Sequence, residues 1–176
     1  MASKKTATNE TTAKRYYIAY GSNLNVEQMR MRCPHATILG TAWLDDWELL
    51  FKGSKTGCYL TIEKWIGGKV PVVIWEVDAQ DEAALDRYEG FPNFYYKKDF
   101  KIRCKGIRTK RLRTVQAFAY IMHEDRPIGL PTGFYLMTCL DGYDTFWFDK
   151  NILVDAYQKC ERMCERRDEY EFADNW

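Results

Sequence analysis

Tyr20-Gly21-Ser22-Asn23-Leu24, here called the YGSNL turn, stands between a short apolar run, Tyr16 to Ala19, and the stretch from Asn25 to Arg32. The apolar run predicts a buried strand, and the second stretch predicts a helix that begins at an Asn cap. A strand, a glycine turn and a helix start leave backbone N–H groups without partners, an arrangement that binds a carboxylate or a phosphate. A single glycine between a strand and a helix is equally common in ordinary tight turns, so both interpretations stay open here.

The composition predicts a folded globular protein. A length of 176 residues with 46% hydrophobic and 15% aromatic residues is enough for one domain with a substantial core. Lys+Arg 26 nearly balance Asp+Glu 25, and no apolar run approaches the roughly 20 residues that span a bilayer. We therefore expect neither a nucleic acid nor a membrane as partner. The polar residues 1–15 lack the apolar centre of a secretory signal and are predicted to be a disordered N-terminal segment.

The cysteines and histidines argue against several kinds of site. Without an export signal, the six cysteines are interpreted as reduced thiols in the cytoplasm and not as three disulfides. Cys160 and Cys164 share one face of a predicted helix, where packing is favoured over a redox or metal pair. His35 and His123 lie far apart in the sequence. We therefore expect no metal site, and Ser-His or Cys-His catalysis is disfavoured.

The rest of the chain alternates between strand and helix patterns. Strands are predicted at residues 37–43, 47–51, 59–63, 70–77, 95–103 and 114–122, with a Gly67-Gly68 turn between the third and fourth of these. Helices are predicted at residues 78–90, 133–140, where Gly142 would end the helix, and 151–165. The pattern predicts a single α+β domain over residues 16–165, followed by a charged tail at 166–176. We expect a strongly curved mixed β-sheet or small β-barrel with flanking helices.

Glu89 is the candidate for proton transfer. It falls in the last turn of the predicted helix 78–90, where the negative end of the helix dipole raises a carboxyl pKa by up to about a unit. Aromatic neighbours would raise the pKa further by removing water. These neighbours are Tyr88, Phe91, Phe94, Tyr95 and Tyr96. A carboxylate with a raised pKa is a competent general base near neutral pH, although a solvated glutamate at a helix end is the alternative interpretation.

Taken together, four ordered motifs resemble the γ-glutamylcyclotransferase-like (AIG2-like) family, in its bacterial-type variant. The first two are the YGSNL turn after the first strand and Leu85 to Gly90, with Tyr96 seven residues after Glu89. The others are Ala119-Tyr120-Ile121-Met122, and Leu130 to Tyr135 leading to Gly142-Tyr143. The resemblance covers roughly residues 16–145. It implies the γ-glutamylcyclotransferase-like fold.

The resemblance also implies a reaction. The family cleaves a γ-glutamyl amide without water, because the α-amino group of the substrate attacks its own γ-carbonyl. The products are 5-oxoproline and an amine or amino acid. By this resemblance Glu89 would be the general acid and base, and no metal or organic cofactor would be needed. The implied substrate-binding residues are Tyr20, Gly21, Ser22, Asn23, Leu24, Tyr96, Tyr120 and Tyr135.

Two other functions remain as alternatives. The first is a non-catalytic protein on the same scaffold that binds a small anionic metabolite. The second is nucleic-acid binding through the basic stretch from Lys101 to Arg113, where a solvated sheet edge is favoured instead. The sequence leaves the γ-glutamyl substrate open among amino acids, amines and tagged intermediates, and it leaves a homodimer open.

Overall fold

The computed structural model describes residues 14–54 and 56–173, with side chains as far as residue 167. Residues 1–13 of the predicted disordered segment lie outside the described residues. The strands are β1 (Arg15–Ala19), β2 (Thr37–Ser54), β3 (Gly57–Val77), β4 (Tyr95–Gly106) and β5 (Leu112–Met122). The helices are a 3₁₀ turn (Ser22–Leu24), α1 (Val26–Arg32), α2 (Ala79–Glu89), α3 (Gly133–Thr145) and α4 (Asn151–Ala173).

The strands close into a barrel in the order β1-β3-β2-β4-β5. Four of the contacts between neighbouring strands are antiparallel, and the barrel closes through a parallel contact between β1 and β5, where Tyr17 pairs with Phe118. The sheet is therefore mixed and fully curved, which confirms the predicted α+β fold. Apolar side chains from every strand fill the core, among them Ile18, Leu50, Ile74, Ile102 and Phe118.

β2 and β3 are longer than the sequence pattern predicts, because each joins two predicted strands into one. The predicted turn at Gly67-Gly68 is wrong, since β3 continues through both residues. Gly67 has a φ of 85° and donates its N–H to the Asp46 side chain at 2.9 Å, beside a shift in strand register. The glycines thus form a bulge that bends the β2–β3 hairpin without ending it.

Helix α3 also departs from its predicted end. It continues past Gly142 to Thr145, because Gly142 is needed for packing and not for termination. A Cβ atom at this position would lie 2.5 Å from the Cβ of Leu24. The missing side chain therefore lets α3 lie directly against the YGSNL turn.

Helix α4 packs on the outside of β2. Lys159 pairs with Glu48 at 2.5 Å, and the buried Cys160 thiol accepts a hydrogen bond from the amide of Phe51 at 3.2 Å. Cys160 therefore packs against the barrel, as predicted for this face, and all six cysteines are free thiols. The helix continues to Ala173, beyond its predicted end at residue 165. None of the helices in the described residues is long and apolar enough to cross a membrane.

Helix α2 begins and ends as predicted. The side chain of Asp78 accepts hydrogen bonds from the amides of Gln80 and Asp81 at 2.9 and 2.8 Å, which caps the first turn. Gly90 ends the helix with a φ of 62°, a left-handed conformation that glycine adopts without strain. Glu89 is therefore the last helical residue, and the end of α2 carries it towards the YGSNL turn.

Candidate active site

A cavity of about 370 Å³ lies between the YGSNL turn, the end of α2 and the barrel. Its walls come from β1, β3, β4, β5, α2 and α3, so distant parts of the sequence meet there. The lining residues are Tyr17, Tyr20, Gly21, Ser22, Asn23, Tyr59, Leu60, Arg87, Tyr88, Glu89, Gly90, Phe94, Tyr95, Tyr120 and Tyr135.

Glu89 is the carboxyl group in this cavity. Its Oε1 accepts a hydrogen bond from Nδ2 of the buried Asn23 at 3.0 Å. Burial raises the pKa of Glu89 from its ordinary value of 4.5 to about 7, although the charge of Arg32 and the Asn23 hydrogen bond act in the opposite direction. A carboxyl group with this pKa can both accept and return a proton near neutral pH.

The backbone N–H groups of the YGSNL turn and of the next residue fall into two sets, those that donate within the turn and those without an acceptor in the described residues. The amides of Leu24 and Asn25 donate within the turn, to the carbonyls of Gly21 and Ser22 at 2.9 and 3.0 Å. The N–H groups of Gly21, Ser22 and Asn23 donate to no acceptor in the described residues. Those three N–H groups are therefore the ones that can bind an anionic or carbonyl oxygen.

Leu24 does not belong to the lining, which corrects the expectation for this residue. Its side chain is fully buried against Gly142, and its amide already donates within the turn. Leu24 therefore packs the turn against α3 and lies outside the cavity lining.

Gly21 lies where Tyr135 approaches the turn closely. A Cβ atom at position 21 would lie 3.1 Å from the Tyr135 hydroxyl and 3.4 Å from the Cβ of Leu60. The same hydroxyl accepts a hydrogen bond from the Leu60 amide at 3.1 Å, which fixes Tyr135 at the cavity wall. The structure thus brings the predicted Gly21 and Tyr135 together.

Tyr20 and Tyr120 also line the cavity. The Tyr20 hydroxyl donates to the backbone carbonyl of Tyr120 at 2.6 Å, and the Tyr120 hydroxyl donates to the carboxylate of Asp86 at 2.6 Å. Burial raises the pKa of both tyrosines, so both are neutral at neutral pH. They serve as fixed polar walls around the carboxyl group of Glu89.

Tyr96 lies outside the cavity lining, and Tyr95 takes the place expected for it. The Tyr96 hydroxyl donates to Glu124 at 2.6 Å, on the outer side of β4. Tyr95 is buried, lines the cavity and donates to the carbonyl of Leu60 at 2.9 Å. Successive side chains of a strand point to opposite faces, so Tyr95 and Tyr96 cannot both point into the cavity.

Ser22 behaves as a positioned polar residue and not as a nucleophile. Its hydroxyl is buried and lies 3.2 Å from the hydroxyl of Tyr88, within hydrogen-bonding distance. Neither His35 nor His123 is among the residues that line the described cavity, so no imidazole is present there to activate the hydroxyl. The sequence interpretation of Ser22 as a binding residue stays a prediction that this geometry supports.

Two residues near Glu89 were missed by sequence reasoning. The hydroxyl of Tyr17 accepts from Asn23 at 2.8 Å, and Arg32 donates to Oδ1 of Asn23. A tyrosine in a buried strand among twelve tyrosines gives no sequence signal, nor does one arginine among 26 basic residues. Only their positions around Asn23 reveal them.

A second cluster of polar side chains, His35, Asp78 and Asp81, lies at the opposite end of α2. Their potential ligand atoms lie within 4.8 Å of one another, a grouping that separation in sequence concealed. Asp78 already caps α2 and also pairs with His35 at 2.9 Å. These contacts join the chain after α1 to the start of α2 and lie away from the cavity.

The barrel thus has a cavity whose lining combines a partly buried carboxyl group, that of Glu89, with a turn that has backbone amides unpaired in the described residues. The chain belongs to the family described as "Gamma-glutamyl cyclotransferase, AIG2-like", whose family model matches residues 17–136. This match confirms the resemblance that the ordered motifs indicate.

Individual relatives agree with this assignment. The chain is similar to the γ-glutamylcyclotransferases of Bos taurus, with 33% identity over 90 residues, and of Homo sapiens, with 36% identity over 87 residues. Each match covers 46% of this chain and 46% of the relative, so the chain spans just under half the length of these curated relatives.

Solved structures share the fold. A protein named gamma-glutamyl cyclotransferase superposes with a TM-score of 0.69 at 23% identity, covering 85% of this chain and 87% of the other. An uncharacterized protein from Homo sapiens superposes with a TM-score of 0.65 at 22% identity, covering 84% and 86%.

Proposed function

We propose that this protein cleaves a γ-glutamyl amide by intramolecular cyclisation, releasing 5-oxoproline and an amine or amino acid. The observation that carries the proposal is the position of Glu89. Its carboxyl group has a pKa of about 7 and meets Asn23 inside a cavity, in a chain of the γ-glutamyl cyclotransferase family. Removing water from an ionisable group is costly, and carboxyl groups with strongly shifted pKa values cluster at functional sites.

In the proposed reaction, Glu89 moves protons between two nitrogen atoms. The carboxylate accepts a proton from the α-amino group, whose nitrogen then attacks the γ-carbonyl carbon. The bond from that carbon to the departing nitrogen breaks as Glu89 returns a proton to it. The ring nitrogen loses its second proton in the same way, through Glu89 to the departing nitrogen. Two protons thus move from the substrate ammonium to the released amine, and the carboxylate is regenerated. A pKa close to the working pH suits both directions of transfer.

The YGSNL turn would hold the glutamyl group in this scheme. The unpaired N–H groups of Gly21, Ser22 and Asn23 are suited to an oxygen that gains negative charge during the attack. Holding the chain folded also favours ring closure, since well-oriented intramolecular attacks reach effective molarities of about 10⁵–10⁸ M. Tyr20, Tyr120 and Tyr135 would shape the cavity around the folded chain.

The other expectations for this enzyme extend the same proposal. We propose a cytoplasmic location, which the free thiols of all six cysteines support, and a reaction that uses no metal or organic cofactor. A homodimer stays a prediction, and light scattering of the purified protein would decide it.

The deciding experiment measures products from a panel of γ-glutamyl amino acids and γ-glutamyl amines in ¹⁸O-labelled water. We expect 5-oxoproline and the released amine in equal amounts, with no ¹⁸O in the 5-oxoproline. Hydrolysis would instead give labelled glutamate. Glu89→Gln should lower kcat by at least about 100-fold, whereas the matched variant Glu27→Gln, on the exposed face of α1, should keep the rate of the unaltered protein.

Two outcomes would overturn the proposal. Activity of Glu89→Gln at the level of the unaltered protein would exclude Glu89 as the acid and base. Saturable binding of γ-glutamyl compounds with no product from any of them would favour the alternative, a non-catalytic binding protein.

A further inference from the structure

Arg32 contacts two residues that line the cavity, although it is not itself among the described residues of the lining. It is the last residue of α1. Its Nη1 donates to Oδ1 of Asn23, and its guanidinium carbon lies 3.3 Å from the centre of the Tyr88 ring. One side chain thus joins α1, the YGSNL turn and the end of α2.

The contact with Arg32 fixes which way the Asn23 amide faces. Because Oδ1 accepts from Arg32, Nδ2 is left to donate to Glu89 at 3.0 Å and to the Tyr17 hydroxyl at 2.8 Å. If the amide were reversed, its NH₂ group would meet the N–H donors of Arg32. Its oxygen would meet the carboxylate oxygen of Glu89, and neither contact could form a hydrogen bond. The guanidinium therefore determines that the carboxylate of Glu89 meets a donor.

Arg32 also supplies positive charge next to Glu89, where most of the surrounding titratable side chains are neutral. Burial raises the pKa of the Cys33 thiol to about 12, and it raises the pKa of the surrounding tyrosines, so all of them are uncharged near neutral pH. Those tyrosines are Tyr17 from β1, Tyr20 from the turn, Tyr95 from β4, Tyr120 from β5 and Tyr135 from α3. Arg87 reaches the cavity from the exposed side of α2.

Within the described residues, Arg32 is the cation whose charge lowers the pKa of Glu89, against the larger effect of burial. A guanidinium stays protonated throughout the working pH range, so this charge is permanent. It favours the ionised carboxylate, which is the form that accepts a proton.

We propose that Arg32 is a positioning residue of the site, which orients the Asn23 amide towards Glu89 and keeps the carboxylate available as a base. This role rests on the proposed function, because its effect on the reaction rate exists only if the protein releases 5-oxoproline. The combined effect of the Arg32 charge and the Asn23 hydrogen bond on the Glu89 carboxyl group can be measured without any substrate. The opposing interpretation is that Arg32 only stacks on Tyr88 and holds α1 against α2.

The first test is an NMR titration of the Glu89 carboxyl carbon in protein labelled with ¹³C-glutamate. The resonance is assigned by its absence in Glu89→Gln. Arg32→Gln should raise the titration midpoint by about one unit, because it removes a charge close to the carboxylate. Arg32→Met keeps apolar packing against Tyr88 and should give the same rise, and Arg32→Lys should restore most of the original midpoint.

The second test is the pH profile of kcat/KM for 5-oxoproline release. Arg32→Gln should lose about fivefold at pH 7 and regain most of the difference by pH 9, since only the ionised fraction of Glu89 is changed. The matched variant Arg30→Gln, on the exposed face of the same helix, should have the same kcat/KM as the unaltered protein at every pH.

The outcomes separate this inference from the proposed function. An unchanged NMR midpoint in Arg32→Gln or Arg32→Met would overturn the role of Arg32, as would an equal loss of rate at every pH. If the unaltered protein releases no 5-oxoproline from any γ-glutamyl compound, the proposed function fails, and the titration still decides what Arg32 does.

Discussion

The side-chain amide of Asn23 donates to the carboxylate of Glu89 at 3.0 Å, across 66 residues of sequence. The turn after the first strand and the end of α2 thereby line the same cavity. Either feature alone has an ordinary structural explanation, as a tight turn or as a helix end. Their contact at the cavity supports the proposal that both take part in one reaction.

The activity should depend on pH through Glu89. Because the carboxyl group must be ionised to accept a proton and burial raises its pKa to about 7, kcat/KM should rise with pH and level off above about 8. Rate measurements from pH 5 to pH 9 on one γ-glutamyl substrate would check this. An acid limb centred between pH 4 and 5 would show that the carboxyl group titrates like an exposed one.

Glu89 should make the protein less stable at neutral pH. The folded state binds the carboxyl proton more tightly than the unfolded chain, so stability falls as pH rises from about 4.5 to about 7 and is constant above. Glu89→Gln should therefore raise the free energy of unfolding by about 1–3 kcal/mol at pH 8 and much less at pH 5. Urea denaturation at both pH values would measure it, with the exposed Glu27→Gln as a control in which no such difference is expected.

Tyr95 and Tyr96 form a matched pair for testing which face of β4 reaches the cavity. Tyr95→Phe leaves the buried carbonyl of Leu60 without its hydrogen bond and should cost about 1 kcal/mol of stability. It should also raise KM, because Leu60 lines the cavity. Tyr96→Phe removes a hydroxyl that pairs with Glu124 in an exposed position and should change both quantities little. Equal effects from the two variants would contradict this assignment.

Gly142 should be sensitive to a single added methyl group. A Cβ atom there would lie 2.5 Å from Leu24, so Gly142→Ala should push α3 away from the YGSNL turn. We expect a loss of about 1–3 kcal/mol in the free energy of unfolding, together with lower kcat/KM. Gly133→Ala is the matched control, since a Cβ atom at the start of α3 meets nothing within 4 Å. Thermal denaturation of both variants tests this, and similar melting temperatures would count against the close contact.

Arg87 should influence the choice of leaving group. Among the described lining residues it is the basic one, and it lies on the exposed side of α2 at the cavity. A released amino acid carries a carboxylate that a guanidinium can bind, whereas a simple amine does not. Arg87→Gln should raise KM for γ-glutamyl amino acids severalfold and leave γ-glutamyl amines nearly unchanged. An equal rise for both classes would place the contact on the glutamyl part instead.

The sequence predicted several local features correctly because their causes are local. The Asp78 cap and Gly90 determine the ends of α2, and the Asn25 side chain caps α1 by accepting from the amide of Gln28. The predicted stops at Gly67-Gly68 and Gly142 were wrong for a common reason. A glycine can signal a chain reversal, a bulge inside a strand or a close approach by another segment, and contacts between residues distant in sequence decide among these.

The sequence by itself determined the strand–turn–helix that carries Asn23, the helix that ends at Glu89, and the ordered motifs of the family. Only the tertiary structure decided that Tyr95 and not Tyr96 lines the cavity, that Leu24 packs against Gly142, and that Arg32 donates to the Asn23 side chain. The physical reason is that caps and turns depend on neighbouring residues, whereas burial, the pKa of Glu89 and hydrogen bonds across the cavity exist only once the barrel brings distant segments together.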